Sequence, residues 1–425
     1  MARIVVLTFL LVFSSFGSAF GAGFALYEFS ARGNALGGTL VGRADDPSAL
    51  AYNPAGITQL PGKQVQGGLS VITPMVDVTT TNPYTREKMT TRSDRNYWIP
   101  PHLYYTHQLT DRLWLGLGVL SRFGLGTEFK DDWPGRYNSR FAGVQTASIN
   151  PNLAYKLTDN LTVAVGAEAM WMDIELRRAI DGSPFLGLPI TNNPATSAAD
   201  IGLKLKGDSW GYGFNVALHY VPSDMLKFGL SYRGPVKQKV KGDAKFDSPV
   251  AHPIFFRDTD ASGNITLPDM IFAGVAVYPT ENLSLEFSTI YTFWSKYDKL
   301  TFKFDDPVLF GQNSSTSVKD WKDVWRFQFG VEYSLNPNVD LRASYIYDQS
   351  PVPDKHADYL IPANNRHLFS FGPGFHWGSW TLDLSYTYLH ILDRDIQARV
   401  AEGVYDSEFT KGHAHIMGLS LGYKF

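Results

Sequence analysis

Between residues 161 and 171, Leu161, Val163, Val165, Ala167, Ala169 and Trp171 alternate with Thr162, Ala164, Gly166, Glu168 and Met170. The same period of two returns from residue 210, where Trp210, Tyr212, Phe214, Val216, Leu218 and Tyr220 stand against Gly211, Gly213, Asn215, Ala217 and His219. It returns from Leu283 (Leu283, Leu285, Phe287, Thr289, Tyr291 and Phe293 against Ser284, Glu286, Ser288 and Thr292). It returns again from Trp380 (Trp380, Leu382, Leu384, Tyr386 and Tyr388 against Thr381, Asp383, Ser385 and Thr387). Successive strand side chains point to opposite faces, so each segment has one apolar wall and one wall of small or polar groups. The chain is therefore expected to be all-β. A soluble sandwich would alternate too, with more Val, Ile and Leu on its apolar face and fewer Tyr and Trp at strand ends.

The connections separate the two cases. Short turns read as His107–Arg112, Leu157–Asn160, Val221–Asp224, Tyr278–Asn282, Ser334–Asn338 and Trp377–Ser379, and nearly all carry Pro, Asp, Asn or Gly. Tyr155, Tyr220, Tyr278, Tyr333 and Trp377 precede or open most of them, which sets a ring at one depth as an aromatic girdle does. Longer polar connections fall between, near 79–91, 123–139, 179–199, 243–265, 304–318, 349–364 and 397–410. Strict alternation of short and long connections is the asymmetry of a transmembrane barrel. Fourteen strands are expected, near 64–78, 92–107, 112–122, 140–157, 160–178, 200–221, 225–242, 266–278, 283–303, 319–334, 339–348, 365–377, 380–396 and 411–425. The last places Met417, Leu419, Leu421, Tyr423 and Phe425 on one face, like the terminal signal by which outer-membrane barrels engage their assembly machinery.

The first residues fit export. Arg3 supplies a positive start, Ile4 to Phe16 an apolar run, and Ala19-Phe20-Gly21 a small-x-small site, so residues 1–21 read as a signal peptide cleaved before Ala22. Beyond it no apolar stretch approaches the ~18 residues of a transmembrane helix. Of 425 residues none is cysteine, which excludes disulfides and thiolate metal sites and suits an oxidising compartment. The net charge of -3 argues against nucleic acid as a partner. Aromatics at 14% and 38 glycines suit the girdles and lumen-facing positions of a membrane barrel.

Residues 22–62 do not alternate, yet Phe24, Leu26, Tyr27, Phe29, Leu50, Tyr52, Ile57 and Leu60 would be wasted on a solvated tail. A compact plug inside the lumen, ahead of a barrel spanning 63–425, explains them better. Several motifs now fall in order: Ala22–Ser30 (AGFALYEFS), Asn53-Pro54-Ala55, Phe123–Phe129 (FGLGTEF), Asp208–Asn215 (DSWGYGFN) and Leu230–Arg233 (LSYR). Leu267–Asp269 (LPD), Trp294-Ser295, Trp321–Arg326 (WKDVWR), Asp348–Pro353 (DQSPVP) and Ile361–His367 (IPANNRH) follow. Together they resemble the FadL family of long-chain fatty acid and hydrophobic-compound transporters along nearly the whole mature length.

The resemblance implies a fourteen-stranded barrel blocked by an N-terminal hatch in which Asn53, Pro54 and Ala55 form the hatch motif. It implies capture in external loops, a lumenal pocket, and sideways exit into the bilayer at an inward kink of the third strand, at Phe123 and Gly124. Arg178 stands where the family carries a basic residue. The family's second basic residue falls near Ser317 here, and Lys319 takes its place with a small shift. Long-chain fatty acids and aromatic hydrocarbons are both compatible ligands, and an alternative of another class is an adhesin or phage-receptor barrel. An open porin would not need the plug. The expected partners are a hydrophobic small molecule, outer-membrane lipid and the assembly machinery reached through Phe425; a monomer without cofactor is expected.

Enzyme chemistry finds no support. Gly418-Leu-Ser-Leu-Gly422 satisfies a serine-hydrolase pattern, but it lies within the last expected strand with no helix after it. Asp258–Asp269 offers oxygen ligands at Asp258, Asp260, Ser262 and Asp269 with the spacing of a calcium loop, against the simpler reading of a polar external turn.

Overall fold

A computed structural model describes residues 23–195, 199–247, 256–308 and 311–425. The expected signal peptide 1–21 and its cleavage before Ala22 lie outside the described residues.

The wall opens with β1 (Lys63–Thr81), which pairs with β2 (Lys88–Arg92) above and β3 (Pro101–Gln108) below. β4 (Leu113–Leu120) and β5 (Gly124–Glu128) make the third crossing, β6 (Phe141–Lys156) the fourth, β7 (Leu161–Asp181) the fifth and β8 (Asp200–Ser223) the sixth. The next four crossings are each divided: β9 (Leu226–Arg233) with β10 (Val236–Asp247), β11 (Thr259–Leu267) with β12 (Met270–Thr280), β13 (Leu283–Thr292) with β14 (Lys299–Val308), and β15 (Gln312–Val318) with β16 (Val324–Asn336). β17 (Val339–Asp348), β18 (Arg366–Trp377), β19 (Trp380–Ile391) with β20 (Arg394–Ile396), and β21 (Ser407–Lys424) complete fourteen crossings. Every neighbour is antiparallel, and β21 pairs back onto β1 from Gln64↔Lys424 to Thr80↔Ser407, so the sheet closes on itself. No described helix is long and apolar enough to cross a membrane.

The alternation settles which side meets lipid. On β8, Trp210, Tyr212, Phe214 and Val216 are exposed while Asn215, Ala217 and His219 are buried. A soluble sandwich would bury the aromatic face; here it forms the outside, as hydrocarbon contact requires. Tyr155, Tyr220, Tyr333 and Trp377 lie exposed beside the short turns. Tyr278 departs from that girdle. It sits two residues beyond buried Ala276 on the lumenal face of β12, with Lys227 Nζ 4.8 Å from its ring. The external hairpins rise further than expected: 243–265 and 304–318, read as loops, contribute β10, β11, β14 and β15. Above the hydrocarbon a strand has no need of an apolar face, so periodicity stops marking it.

Residues 23–62 fill the lumen. Phe29, Leu36, Leu40, Leu50, Tyr52 and Ile57 are all buried. α1 (Ala31–Ala35) is capped by Ser30, whose hydroxyl accepts from Gly33 N; α2 (Ala49–Tyr52) leads into a 3-10 helix, Pro54–Gln59. Lumenal side chains supply the plug's missing hydrogen bonds. Tyr104 Oη donates to Phe29 O (2.8 Å), Trp114 Nε1 to Leu60 O (2.8 Å), and Ala31 N donates to Ser420 Oγ (2.8 Å). Contact is close enough that Gly229 admits no side chain: a Cβ there would lie 1.8 Å from Val41 O.

Candidate functional site

Three features define the site: how the plug is held, where the wall is broken, and what lies between.

The plug is held by buried charge. Glu286 Oε1 accepts from Val41 N (2.9 Å) and Gly42 N (3.0 Å), and Oε2 from Arg43 N (2.8 Å). Three successive backbone amides thus cradle one wall carboxylate, an arrangement that favours an anion. The Arg43 guanidinium is fully buried and donates to Ser284 Oγ and O, Thr39 O and Gly330 O. Arg32 bridges Asp45 (2.7 Å) and Asp46 (3.1 Å) of the plug to Glu332 of the wall (2.7 Å). Arg233 donates to Ala51 O (3.2 Å), to Leu50 O and to Asn150 Oδ1 (3.2 Å). In the Asn53-Pro54-Ala55 motif, Asn53 Oδ1 accepts from Ala55 N (3.2 Å), while its Nδ2 donates to Val41 O (2.9 Å) and to Leu218 O on the wall (3.1 Å). Pro54 opens the 3-10 helix, where its missing N–H costs nothing. The motif is a cap and a tether together.

The wall is broken at the third strand. β4 pairs with β6 as far as Leu120↔Ser148 and β5 resumes at Gly124↔Gln145, so three residues, Ser121 to Phe123, face two on β6. Such a bulge bends its strand and frees its ladder groups. Thr146 takes up the slack, its hydroxyl accepting from Phe123 N (3.1 Å) and donating to Phe123 O (2.7 Å). The opposite edge of the kink receives residues 24–26: Leu26 N donates to Arg122 O (2.8 Å) and Gly124 N to Phe24 O (2.9 Å), around an antiparallel Ala25↔Phe123 bridge. Strand two is interrupted at the same height, between β2 and β3, and no ladder joins it to β5 among the described residues. Trp98 spans the interval. Its backbone bonds Ile72 of β1 in both directions, and its indole lies over Gly126, where a Cβ would meet Trp98 Cε2 at 1.7 Å.

Between break and plug lies a narrow apolar cavity lined by Phe24, Val144, Met172, Ile174, Leu300 and Ile361, with Lys319 among the lining residues. Its floor is an aromatic cluster: Phe24 and Trp294 are 4.9 Å apart, Trp294 and Trp321 4.8 Å, and Tyr297 and Trp321 4.8 Å. Lys319 is buried and donates to Asp358 Oδ2 at 2.6 Å. Arg178 is not part of this lining. It shares the face of β7 with Ile174 and Leu176, lies two residues further out opposite Leu203, and makes no hydrogen bond or ion pair among the described residues. Beyond it, the external connection after β7 exposes Leu186, Leu188 and Ile190. That loop is shaped by Asp181, which accepts from Ser183 N (2.9 Å), Thr191 N (3.0 Å) and Asn192 N (2.8 Å). Burial pushes the Asp181 carboxyl up, but the Ser183 hydroxyl and these three amides hold it below the ordinary range, so it is charged where it ties the loop together.

Two other motifs resolve differently. The twelve residues from Asp258 do not wrap into a calcium loop: Thr259–Leu267 is strand β11, and twelve extended residues span about 36 Å. Asp258 Oδ1 accepts from Phe246 N, Asp260 and Ser262 pair in the ladder opposite Asp243 and Lys241, and Asp269 is bound by Tyr232 Oη and Lys296 Nζ. No metal-holding group of His, Asp or Glu occurs among the described residues. In Gly418–Gly422, Ser420 lies 2.8 Å from His102 Nε2 but sits mid-strand under the plug, with no acid on His102 Nδ1. It seats Ala31 and is no nucleophile elbow.

A closed antiparallel barrel, apolar and aromatic outside and filled by its own N-terminus inside, defines a plugged transport protein of the bacterial outer membrane. Residues 11–425 match the model of the outer membrane protein transport family (OMPP1/FadL/TodX), and the chain belongs to that family. It is 27% identical over 434 residues to the long-chain fatty acid transport protein of Escherichia coli O6:H1, covering 96% of this chain and 95% of that one. It is 26% identical over 463 residues to outer membrane protein P1 of Haemophilus influenzae, covering 96% of each. Among solved structures, a Pseudomonas aeruginosa FadL homologue superposes with a TM-score of 0.80 at 20% identity, over 95% of this chain and 100% of that one. The Pseudomonas putida toluene transporter TodX superposes with 0.71 at 19% identity, over 95% and 99%. The family carries hydrophobic compounds across the outer membrane and is not enzymatic.

Proposed function

We propose that the chain takes up long-chain fatty acids, capturing them at its external loops, holding them in the lumenal cavity and releasing them sideways into the bilayer. The observation that carries this reading is the coincidence of a blocked axis with a wall broken at one height in two adjacent strands. A ligand above the plug has no straight path inward, while Leu125, on the strand that resumes beyond the break, lines the cavity next to the Gly126 on which Trp98 packs. Lateral release suits an alkyl chain, since it avoids re-solvating about 0.8 kcal/mol of surface per CH₂. Leu186, Leu188 and Ile190 offer the first apolar contact, Arg178 draws the carboxylate inward, and Lys319 receives it in place of Asp358. Segment 23–62 acts as the hatch, with Asn53, Pro54 and Ala55 fixing its fold, and Phe123 and Gly124 border the exit.

A second reading, uptake of an aromatic hydrocarbon, is favoured by the aromatic floor at Phe24, Trp294, Tyr297 and Trp321, which needs no cation. The double variant Lys319→Met/Asp358→Leu separates the two, because it removes the pair without stranding a buried charge. Titration calorimetry should show oleate affinity falling about 10- to 100-fold, the loss of one charge-assisted hydrogen bond, with a monoaromatic ligand unaffected. Unchanged oleate affinity would reject Lys319 as the carboxylate site and favour the hydrocarbon.

A further inference from the structure

Four of the ten histidines gather on one patch of the barrel's outer face. His367, His390 and His413 lie directly opposite one another on β18, β19 and β21. His415 follows on the same face, its ring 5.5 Å from that of His413. The register fixes their depth. The same three strands carry Trp377, Trp380 and Tyr423 opposite one another beside the short-turn end. Each histidine of the row is ten residues along its strand from one of those rings. Ten residues of a strand tilted by about 40° rise about 25 Å, the height of the apolar band. The imidazoles therefore stand at the external boundary of the hydrocarbon, level with the headgroups.

Each ring has at least one nitrogen without a partner among the described residues. His413 Nδ1 lies 2.7 Å from Lys411 O, and a carbonyl only accepts, so Nδ1 carries a hydrogen and Nε2 is the open position. His367 Nδ1 meets Tyr345 Oη and His415 Nδ1 meets Tyr386 Oη, each at 2.8 Å. His390 has no hydrogen-bond partner among the described residues. The charged groups around the row are occupied elsewhere: Lys411 and Arg92 pair with Asp77, and Asp393 accepts from Lys411 N. No carboxylate among the described residues pairs with any of the four rings. The outward neighbours in line with the row are Tyr347 and Met75. Protons on adjacent imidazoles repel one another unless an anion sits between them.

We propose that this row binds the phosphate headgroups of outer-leaflet lipid, with affinity that rises as the pH falls and the imidazoles gain protons. Protonation makes both nitrogens of each ring donors and supplies the charge that a phosphate answers. A metal ion is the poorer occupant, since the rings are strung across three strands, each about 4.8 Å from the next, instead of converging on a point.

The test is native mass spectrometry of the full barrel in phosphatidylcholine nanodiscs doped with lipid A, at about pH 5.5 and about pH 8, the interval over which histidine is the side chain that changes charge. Wild type should retain about tenfold more lipid A at the lower pH, and the variant His367→Gln/His390→Gln/His413→Gln should lose that difference. Equal retention at both pH values, or a pH difference that survives in the variant, overturns the proposal. Displacement by millimolar inorganic phosphate overturns the lipid assignment, because acyl chains should hold the headgroup in place. Should the triple variant misfold, His390→Gln alone carries the test, and it should reduce the pH difference severalfold.

Discussion

Replacing Glu286 with alanine is expected to make a closed barrel leak. The carboxylate satisfies three consecutive amides of the plug and accepts from Ser288 Oγ at 2.5 Å, all out of contact with water. Alanine leaves those amides and the nearby Arg43 guanidinium, 3.6 Å away, without their anion. Removing one partner of a buried charged pair costs about 3–5 kcal/mol, a large part of what holds a segment of this size in place. Planar-bilayer recordings should show steady channel openings that wild type lacks, and the folded form should be lost at a lower temperature. Glu286→Gln, which keeps an acceptor, should fall between the two. If Glu286→Ala conducts no more than wild type, the plug is held chiefly by the Arg32–Glu332 bridge, and the role given to Glu286 is wrong.

Joining Ala25 to Phe123 through engineered cysteines should stop transport reversibly. The two residues form an antiparallel pair flanked by Leu26 N to Arg122 O and Gly124 N to Phe24 O, which makes it a non-hydrogen-bonded pair. Such pairs bring Cα atoms to about 4.5 Å, within the range a disulfide spans. The chain has no cysteine of its own, so the bond forms without competitors. On the proposed lateral route, release past the third-strand break requires residues 24–26 to peel away from the kink. Oxidised Ala25→Cys/Phe123→Cys protein in whole cells should therefore lose most oleate uptake, and reductant should restore it to the level of the reduced double variant. Uptake unaffected by oxidation would mean that the segment stays docked during transport, and a different opening would have to be sought.

The wall was legible because one side of a membrane strand must be apolar. Trp210 to Tyr220 and Leu283 to Phe293 announce their faces without help from the rest of the chain, and the short turns set their spacing. The divided strands were not legible, because Pro235, Asp269 or Trp321 interrupt a crossing without interrupting the alternation on either side. Nor was Trp98, whose partner Gly126 lies on a different strand and whose contact depends on two breaks falling at one height. Lys319 was placed by resemblance, but its ion pair with Asp358 joins residues 39 apart and leaves no local trace. Glu168, Arg233 and Glu286 were within reach of the residues alone. A charge at an inward position of a membrane-level strand is too expensive to stand idle, and each of the three sits at one, Glu168 paired at 2.5 Å with Arg122.

The bond from Ala31 to Ser420 joins residues 389 apart, and the seam where β1 meets β21 reaches nearly as far along the chain. The plug is synthesised ahead of the wall, yet part of its seat is built from the fourteenth crossing. Sealing the cylinder and seating the plug thus become a single late event. Such a topology folds slowly, since nearly the whole loop must close before any of these contacts is gained. Until then the apolar face of residues 23–62 has nothing to pack against. This chain should therefore depend on holding chaperones in the periplasm more heavily than a barrel whose lumen is filled by neighbouring side chains.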